Sequence, residues 1–124
     1  MHIEKIGWFS DLQHGLPTSG TLKGAAGKLD QESARSVARY LQSGTIIAET
    51  TGETLHDELD PTRPEIGPFR TLTDGKYVWP SDLAHYVEKY RVEVPTGLEE
   101  QAARGTAHSL SDQEIEAIVD FLVG

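Results

Sequence analysis

The sequence predicts an α+β fold: a small antiparallel sheet with a β-hairpin, packed against about three to four helices. Three observations carry this reading. Asp74-Gly75 stands between two short β-like runs, residues 69–73 and 76–79, and an Asp-Gly pair tolerates the positive φ of a tight hairpin turn. Residues 45–50, Thr-Ile-Ile-Ala-Glu-Thr, are β-branched and apolar and are stopped by Gly52, which predicts a strand with Ile46 and Ile47 on opposite, covered faces. Three other segments repeat apolar residues at helical spacing, each giving one apolar stripe.

The elements follow in order. Residues 3–12 mix Ile3, Ile6, Trp8, Phe9 and Leu12 with polar residues in neither period, so they are expected on the core without a defined element. Residues 13–29 hold Gly15, Pro17, Gly20, Gly24 and Gly27 and predict a mobile loop. Asp30 then opens a helix over 31–42 with Ala34, Val37, Ala38 and Leu41 on one face and Gly44 just past its end. Residues 53–68 carry Asp57, Glu58, Asp60 and three prolines, which predicts an acidic loop. After the hairpin, Ser81 is positioned to cap a helix over 82–90 with the stripe Leu83, Tyr86, Val87 and Tyr90. Thr96 and Glu99 have capping-box spacing for a short helix ending near Gly105. Ser111 and Glu114 repeat that spacing ahead of Ile115, Ile118, Val119 and Leu122, so residues 111–123 form the last helix. The helices near 31–42, 82–90 and 111–123 are expected chiefly on one side of the sheet.

The 124 residues, with 37% hydrophobic and 25% charged content, suit one domain spanning 1–124. No run approaches a membrane-spanning length, and the start lacks a signal-peptide layout. With no cysteine, thiolate metal sites, c-type haem attachment and a cysteine nucleophile are excluded, and a reducing cytoplasm is the expected location. A formal charge of −9 disfavours nucleic acid, whose phosphates are bound by releasing counterions to Lys and Arg, and suits steering of a basic protein.

No motif implies a cofactor. In the stretch Gly20-Thr21-Leu22-Lys23-Gly24-Ala25-Ala26-Gly27-Lys28, Leu22 stands where a phosphate-binding loop needs its first glycine, and Leu29 replaces the hydroxyl residue. The terminal helix resembles that of small c-type cytochromes, but without a Cys-x-x-Cys-His attachment the likeness reduces to a capped amphipathic helix. Among the five histidines, His85 has Glu88 at i+3, a pairing able to bind a metal or pass a proton if further ligands converge.

The densest cluster is Thr73-Asp74-Gly75-Lys76-Tyr77-Val78-Trp79-Pro80-Ser81-Asp82-Leu83-Ala84-His85-Tyr86-Val87-Glu88-Lys89-Tyr90, followed by Val92-Glu93-Val94-Pro95. It resembles small uncharacterised bacterial proteins, mainly actinobacterial, that share an Asp-Gly hairpin, an aromatic strand ending in Trp and a Tyr-Val-x-x-Tyr helix. Tyr40-Leu41-x-Ser43-Gly44-Thr45 and Leu59-Asp60-Pro61 fit the same group. The resemblance implies a shared fold more than an activity, and an immunity-type inhibitor is a role that small acidic bacterial proteins fill. The expected function is a non-enzymatic protein-binding module that meets a basic partner, such as a toxin, through Asp57, Glu58, Asp60, Tyr77, Trp79, His85 and Glu88. No catalytic or metal-ligating residue is assigned. The alternatives are a small metal- or acid–base-dependent enzyme using His85 and Glu88, or a self-associating protein whose hairpin edge pairs in a homodimer.

Overall fold

The computed structural model describes residues 1–124, and its elements run β1 (Glu4–Lys5), α1 (Leu22–Ala25), α2 (Gln31–Gln42), β2 (Thr45–His56), β3 (Glu65–Thr73), β4 (Tyr77–Pro80), α3 (Leu83–Tyr90), α4 (Thr96–Ala103) and α5 (Asp112–Val123). The α+β class is as the sequence predicts, with four strands in the order β1-β4-β3-β2. The sheet is mixed rather than wholly antiparallel: β2–β3 and β3–β4 are antiparallel, whereas β1 joins β4 in parallel. Two residues of pairing leave almost no period to read, which is why the N-terminal strand escaped the pattern.

The strands β3 and β4 meet across the expected turn, with Leu72 opposite Trp79 and Thr73 opposite Val78. Gly75 takes φ +97°, a region closed to most side chains. Asp74 does more than tolerate the turn. Its Oδ1 accepts from the backbone N–H of Lys76 and Tyr77 at 2.9 and 2.8 Å, and its Oδ2 accepts from the Tyr40 hydroxyl at 2.6 Å. One buried carboxylate thus closes the turn and fastens it to α2. Burial, and then the neighbouring Asp74 carboxylate, push the Tyr40 hydroxyl far above its ordinary range, so it stays a donor.

Period two sends Tyr77 and Trp79 to one face of β4 and Val78 to the other. The first face carries the main core, where Leu22, Val37, Leu41, Leu83, Tyr86, Val87, Val92 and Leu98 meet Trp79. The second carries a small cluster of Ile3, Val78 and Ile118, flanked by Ile47, Leu110 and Leu122. The helix α5 therefore packs on the opposite face from α2 and α3, which corrects the one-sided arrangement. Its capping box, Ser111 with Glu114, forms as predicted. Only Ile118 of its stripe is buried, and Phe121 and Val123 face solvent.

Three further expectations change. The strand from Thr45 continues to His56 and returns through Glu65–Thr73, so the acidic loop shrinks to residues 57–64. Pro68 is admitted because it lies beyond the Thr71–Thr73 stretch that pairs with β4. As the sheet edge, β2 leaves Ile46 49% exposed rather than covered. Ser81 does not cap α3: its hydroxyl accepts from the Arg70 N–H and donates to the Pro68 carbonyl, and Asp82 occupies the cap position without a side-chain cap bond. Thr96 lies inside α4, whose cap position is Pro95, so no capping box forms there.

Within the glycine-rich stretch 13–29, read from sequence as a loop, lie the short helix α1 and two buried leucines. Leu22 is 1% exposed within the main core, and α1 is capped by Asp11, which accepts from the Leu22 N–H, and by Thr21. Residues 25–29 are laced to the end of α3 through Gly27 N–H to the Tyr90 carbonyl and Leu29 N–H to the Arg91 carbonyl. Gly27 takes φ +74°, the left-handed conformation that a glycine adopts without strain, and a Cβ there would meet no neighbouring atom. Leu22→Ala is expected to cost about 2–5 kcal/mol in urea unfolding, the range for emptying a fully buried leucine site. An unchanged midpoint would place Leu22 outside the core.

Candidate functional site

The ribbon of β2 and β3 ends in a turn that folds against α3, and Asp57 is the point of attachment. Asp57 is fully buried, yet five groups donate to its carboxylate. Backbone N–H groups of Leu59 and Asp60 reach Oδ1 at 2.9 and 3.1 Å. The Tyr90 hydroxyl lies 2.9 Å from Oδ2, His85 Nε2 at 2.7 Å and Lys89 Nζ at 3.2 Å. His85 and Lys89 share one face of α3 at i, i+4 spacing, and Tyr90 reaches the same carboxylate from the adjoining face at the helix end.

Burial alone would raise the pKa of Asp57, but the bonds from His85, Tyr90, Leu59 and Lys89 outweigh it and hold the carboxyl well below its usual range. The same partners act in reverse on Lys89: hydrogen bonds to Asp57 and then Asp60 hold its ammonium above the ordinary lysine value. The backbone N–H of Thr62, followed by its hydroxyl, lowers Asp60. Beneath this knot the Tyr86 hydroxyl accepts from the Glu58 N–H and donates to the His56 carbonyl, so the turn is also fastened through its backbone.

The sequence-predicted site residues thus fall into three groups. Asp57, Asp60 and His85 come together, but as a mutually satisfied network rather than an open docking surface. Trp79 is 1% exposed and donates from Nε1 to the Leu41 carbonyl at the end of α2, which removes it from any surface. Tyr77 is half-buried on the same face, its hydroxyl lying over Gly97 of α4. Glu58 pairs with Arg63 at 2.7 Å, and Glu88 is exposed and bonded to nothing. The His85–Glu88 pairing expected from i, i+3 spacing does not form, because His85 turns to Asp57 across a separation of 28 residues.

Chemically, Asp57 orients the His85 ring through Nε2 in the manner used to position a general base. The ring is 29% exposed at its side chain, and no hydroxyl nucleophile hydrogen-bonds to it. No three His, Asp or Glu side chains converge on a point where a metal could sit.

Two features carried no local signal. The first is a groove of about 510 Å³ between α2 and α4, lined by Glu32, Ser33 and Ser36 on one side and Thr96, Glu99 and Glu100 on the other. Ser36 ties the two helices beneath it by donating to the Ala102 carbonyl. The second is a buried contact between His14 and Asp82, 68 residues apart in the chain. No helix is long and apolar enough to cross a membrane. No protein-family model matches the chain, and comparison with curated proteins and with solved structures found no match.

Proposed function

We propose that the chain is a non-enzymatic protein-binding module that takes a basic segment of a partner protein along the groove between α2 and α4. An immunity-type inhibitor of a basic toxin is the biological form that suits it. The observation that carries this reading is the lining of that groove: Glu32, Glu99 and Glu100 contribute three carboxylates, and no Lys or Arg lines it. Glu32 lies in the first turn of α2 and Glu99 in the first turn of α4, where helix dipoles favour negative charge, so the acidity is compatible with both helices. The net charge of −9 adds a long-range field of the same sign.

The test is a spectroscopic titration of the full chain with a lysine- and arginine-rich peptide of about 12 residues. Amide shifts are expected at Glu32–Val37 and Thr96–Ala103, and binding is expected to weaken at least tenfold in the triple variant Glu32→Gln, Glu99→Gln, Glu100→Gln. Association should also slow as salt shortens the Debye length toward ~8 Å. Shifts spread over other acidic surfaces, or undiminished in the triple variant, would sink the reading.

A second reading, an acid–base site at His85, is favoured by the 2.7 Å contact with Asp57. Its test is the loss of a measurable activity in His85→Ala with folding retained. The hairpin edge expected to self-associate is covered, because β3 pairs with β2 and β4 with β1, which leaves β2 as the long free edge. The register slips between Glu49 and Thr54, a bulge that blunts a sheet edge.

A further inference from the structure

Residues 9–20, between β1 and α1, form a loop that hydrogen-bonds to itself. Its neck is closed by the Ser10 N–H on the Gly20 carbonyl at 3.1 Å and by the Leu16 N–H on the Trp8 carbonyl at 2.9 Å. Every hydrogen bond made by its residues ends within residues 8–22. Of its side chains, Leu12 is buried in the main core, and His14 reaches the start of α3, where Nε2 lies 3.0 Å from Oδ2 of Asp82. That contact is the one charged tie between the loop and the rest of the protein.

The pair is shielded from water, its side chains 9% and 1% exposed, and Trp8 and Phe69 flank the imidazole with ring centroids 6.1 and 5.0 Å away. No other polar group reaches Nε2 or either Asp82 oxygen. Asp82 stands at the cap position of α3, where the helix dipole favours negative charge, but it makes no side-chain cap bond, so His14 is the one side chain placed to answer that charge. An isolated buried carboxylate is costly, and an imidazolium beside it makes the pair neutral. A neutral imidazole donates one hydrogen bond at best and leaves the negative charge in place. The other charged or titratable groups around the ring are Glu53 and His56 of β2 and the Glu58–Arg63 pair of the ribbon turn. From β3 the ring faces the uncharged Phe69, while Arg70 turns to Glu49 and Asp11 of the loop itself accepts from the Leu22 N–H.

We propose that His14 and Asp82 form a proton-operated latch: an imidazolium at position 14 holds residues 9–20 against α3, and loss of its proton in mildly alkaline solution releases the loop from the helix. The docked state holds one proton more than the open state, in which His14 is an exposed histidine that titrates near pH ~6.5. Docking is therefore complete at lower pH and weakens by up to about tenfold per pH unit above that value. The latch shares no residue with the α2–α4 groove and stands whether or not a basic partner binds there.

The experiment is native-state amide exchange of the full chain across the range from about pH 6 to about pH 8.5, corrected for the base catalysis of exchange itself, together with side-chain nitrogen spectra of the histidines. Protection at the Leu12, Leu16 and Leu22 amides is expected to fall by about tenfold or more over that range, because turns this short hold little protection once detached, while protection at Leu41 in α2 stays constant. His14 should keep both ring protons at about pH 7.5, where the exposed His2 and His108 have lost one. His14→Gln retains a donor but binds no proton, and Asp82→Asn removes the charge that the proton answers, so each variant should show the same loop protection at both ends of the range. The wild-type spectra decide the matter even if one variant fails to fold. Loop protection that does not change with pH in the wild type, an equal pH dependence in His14→Gln, or a His14 that loses its proton together with His2 and His108 would overturn the proposal.

Discussion

Asp57→Ala is expected to destabilise the protein by about 3–5 kcal/mol, because it removes a fully buried carboxylate that five donors share and leaves several of them without an acceptor. The loss is large because the carboxylate has no redundancy. Its removal leaves the Leu59 and Asp60 N–H groups, the Tyr90 hydroxyl and the His85 Nε2 without an acceptor, and leaves Lys89 with Asp60 alone. Urea unfolding of the variant should show a much lower midpoint. His85→Ala removes only one of five donors and should cost about 1–2 kcal/mol, near the net worth of a single bond to a charged group. If Asp57→Ala unfolds like wild type, the ribbon turn is not held by this carboxylate.

The acid dependence follows from the same group. The folded-state pKa of Asp57 lies below its unfolded value of about 3.9, so its contribution is complete above that value and is lost as pH falls through the lower folded value. Stability of the wild type should therefore decline steeply below about pH 4, whereas Asp57→Asn, already weak at neutrality, should decline less over the same interval. Parallel acid limbs for the two proteins would mean that other carboxylates govern acid unfolding.

The regular, locally specified parts were legible in the sequence. The stripe Ala34, Val37, Ala38 and Leu41, with Asp30 as cap, places α2 almost residue for residue, and Ser111 with Glu114 does the same for the start of α5. The features that failed were set by distant partners. Ser81 was read as a cap because only its neighbours in the chain are visible there, but its hydroxyl is taken by β3. His85 was paired with Glu88 by helical spacing, whereas an acceptor buried under the ribbon turn outcompetes an exposed one. Leu22 and Leu29 sat among glycines that diluted their apolar signal, although each is buried. The His14–Asp82 contact and the α2–α4 groove join segments about 60 residues or more apart, a distance at which no period or spacing rule operates.

Trp79→Ala is expected to cost about 3–5 kcal/mol, as deep as any single truncation in this core. The ring is 1% exposed between β4 and α2, and its Nε1 donates at 3.2 Å to the Leu41 carbonyl, a helix-end carbonyl that also accepts from the Gly44 N–H. Gly44 makes the fit possible: a Cβ at that position would stand 2.5 Å from the indole Cζ2, so Gly44→Ala must displace the ring and should itself cost about 1–3 kcal/mol. The residue after α2 is thus a glycine for close approach, and its backbone stays out of the left-handed region. The two substitutions touch the same contact, so the double variant should be less destabilised than the sum of the singles, since an alanine at 79 no longer meets the new methyl group. Thermal unfolding of the four proteins in one cycle measures this directly. Strict additivity would show that the indole does not lie over Gly44. A Trp79→Ala protein as stable as wild type would return that ring to the surface, and with it the reading of Trp79 as a docking anchor.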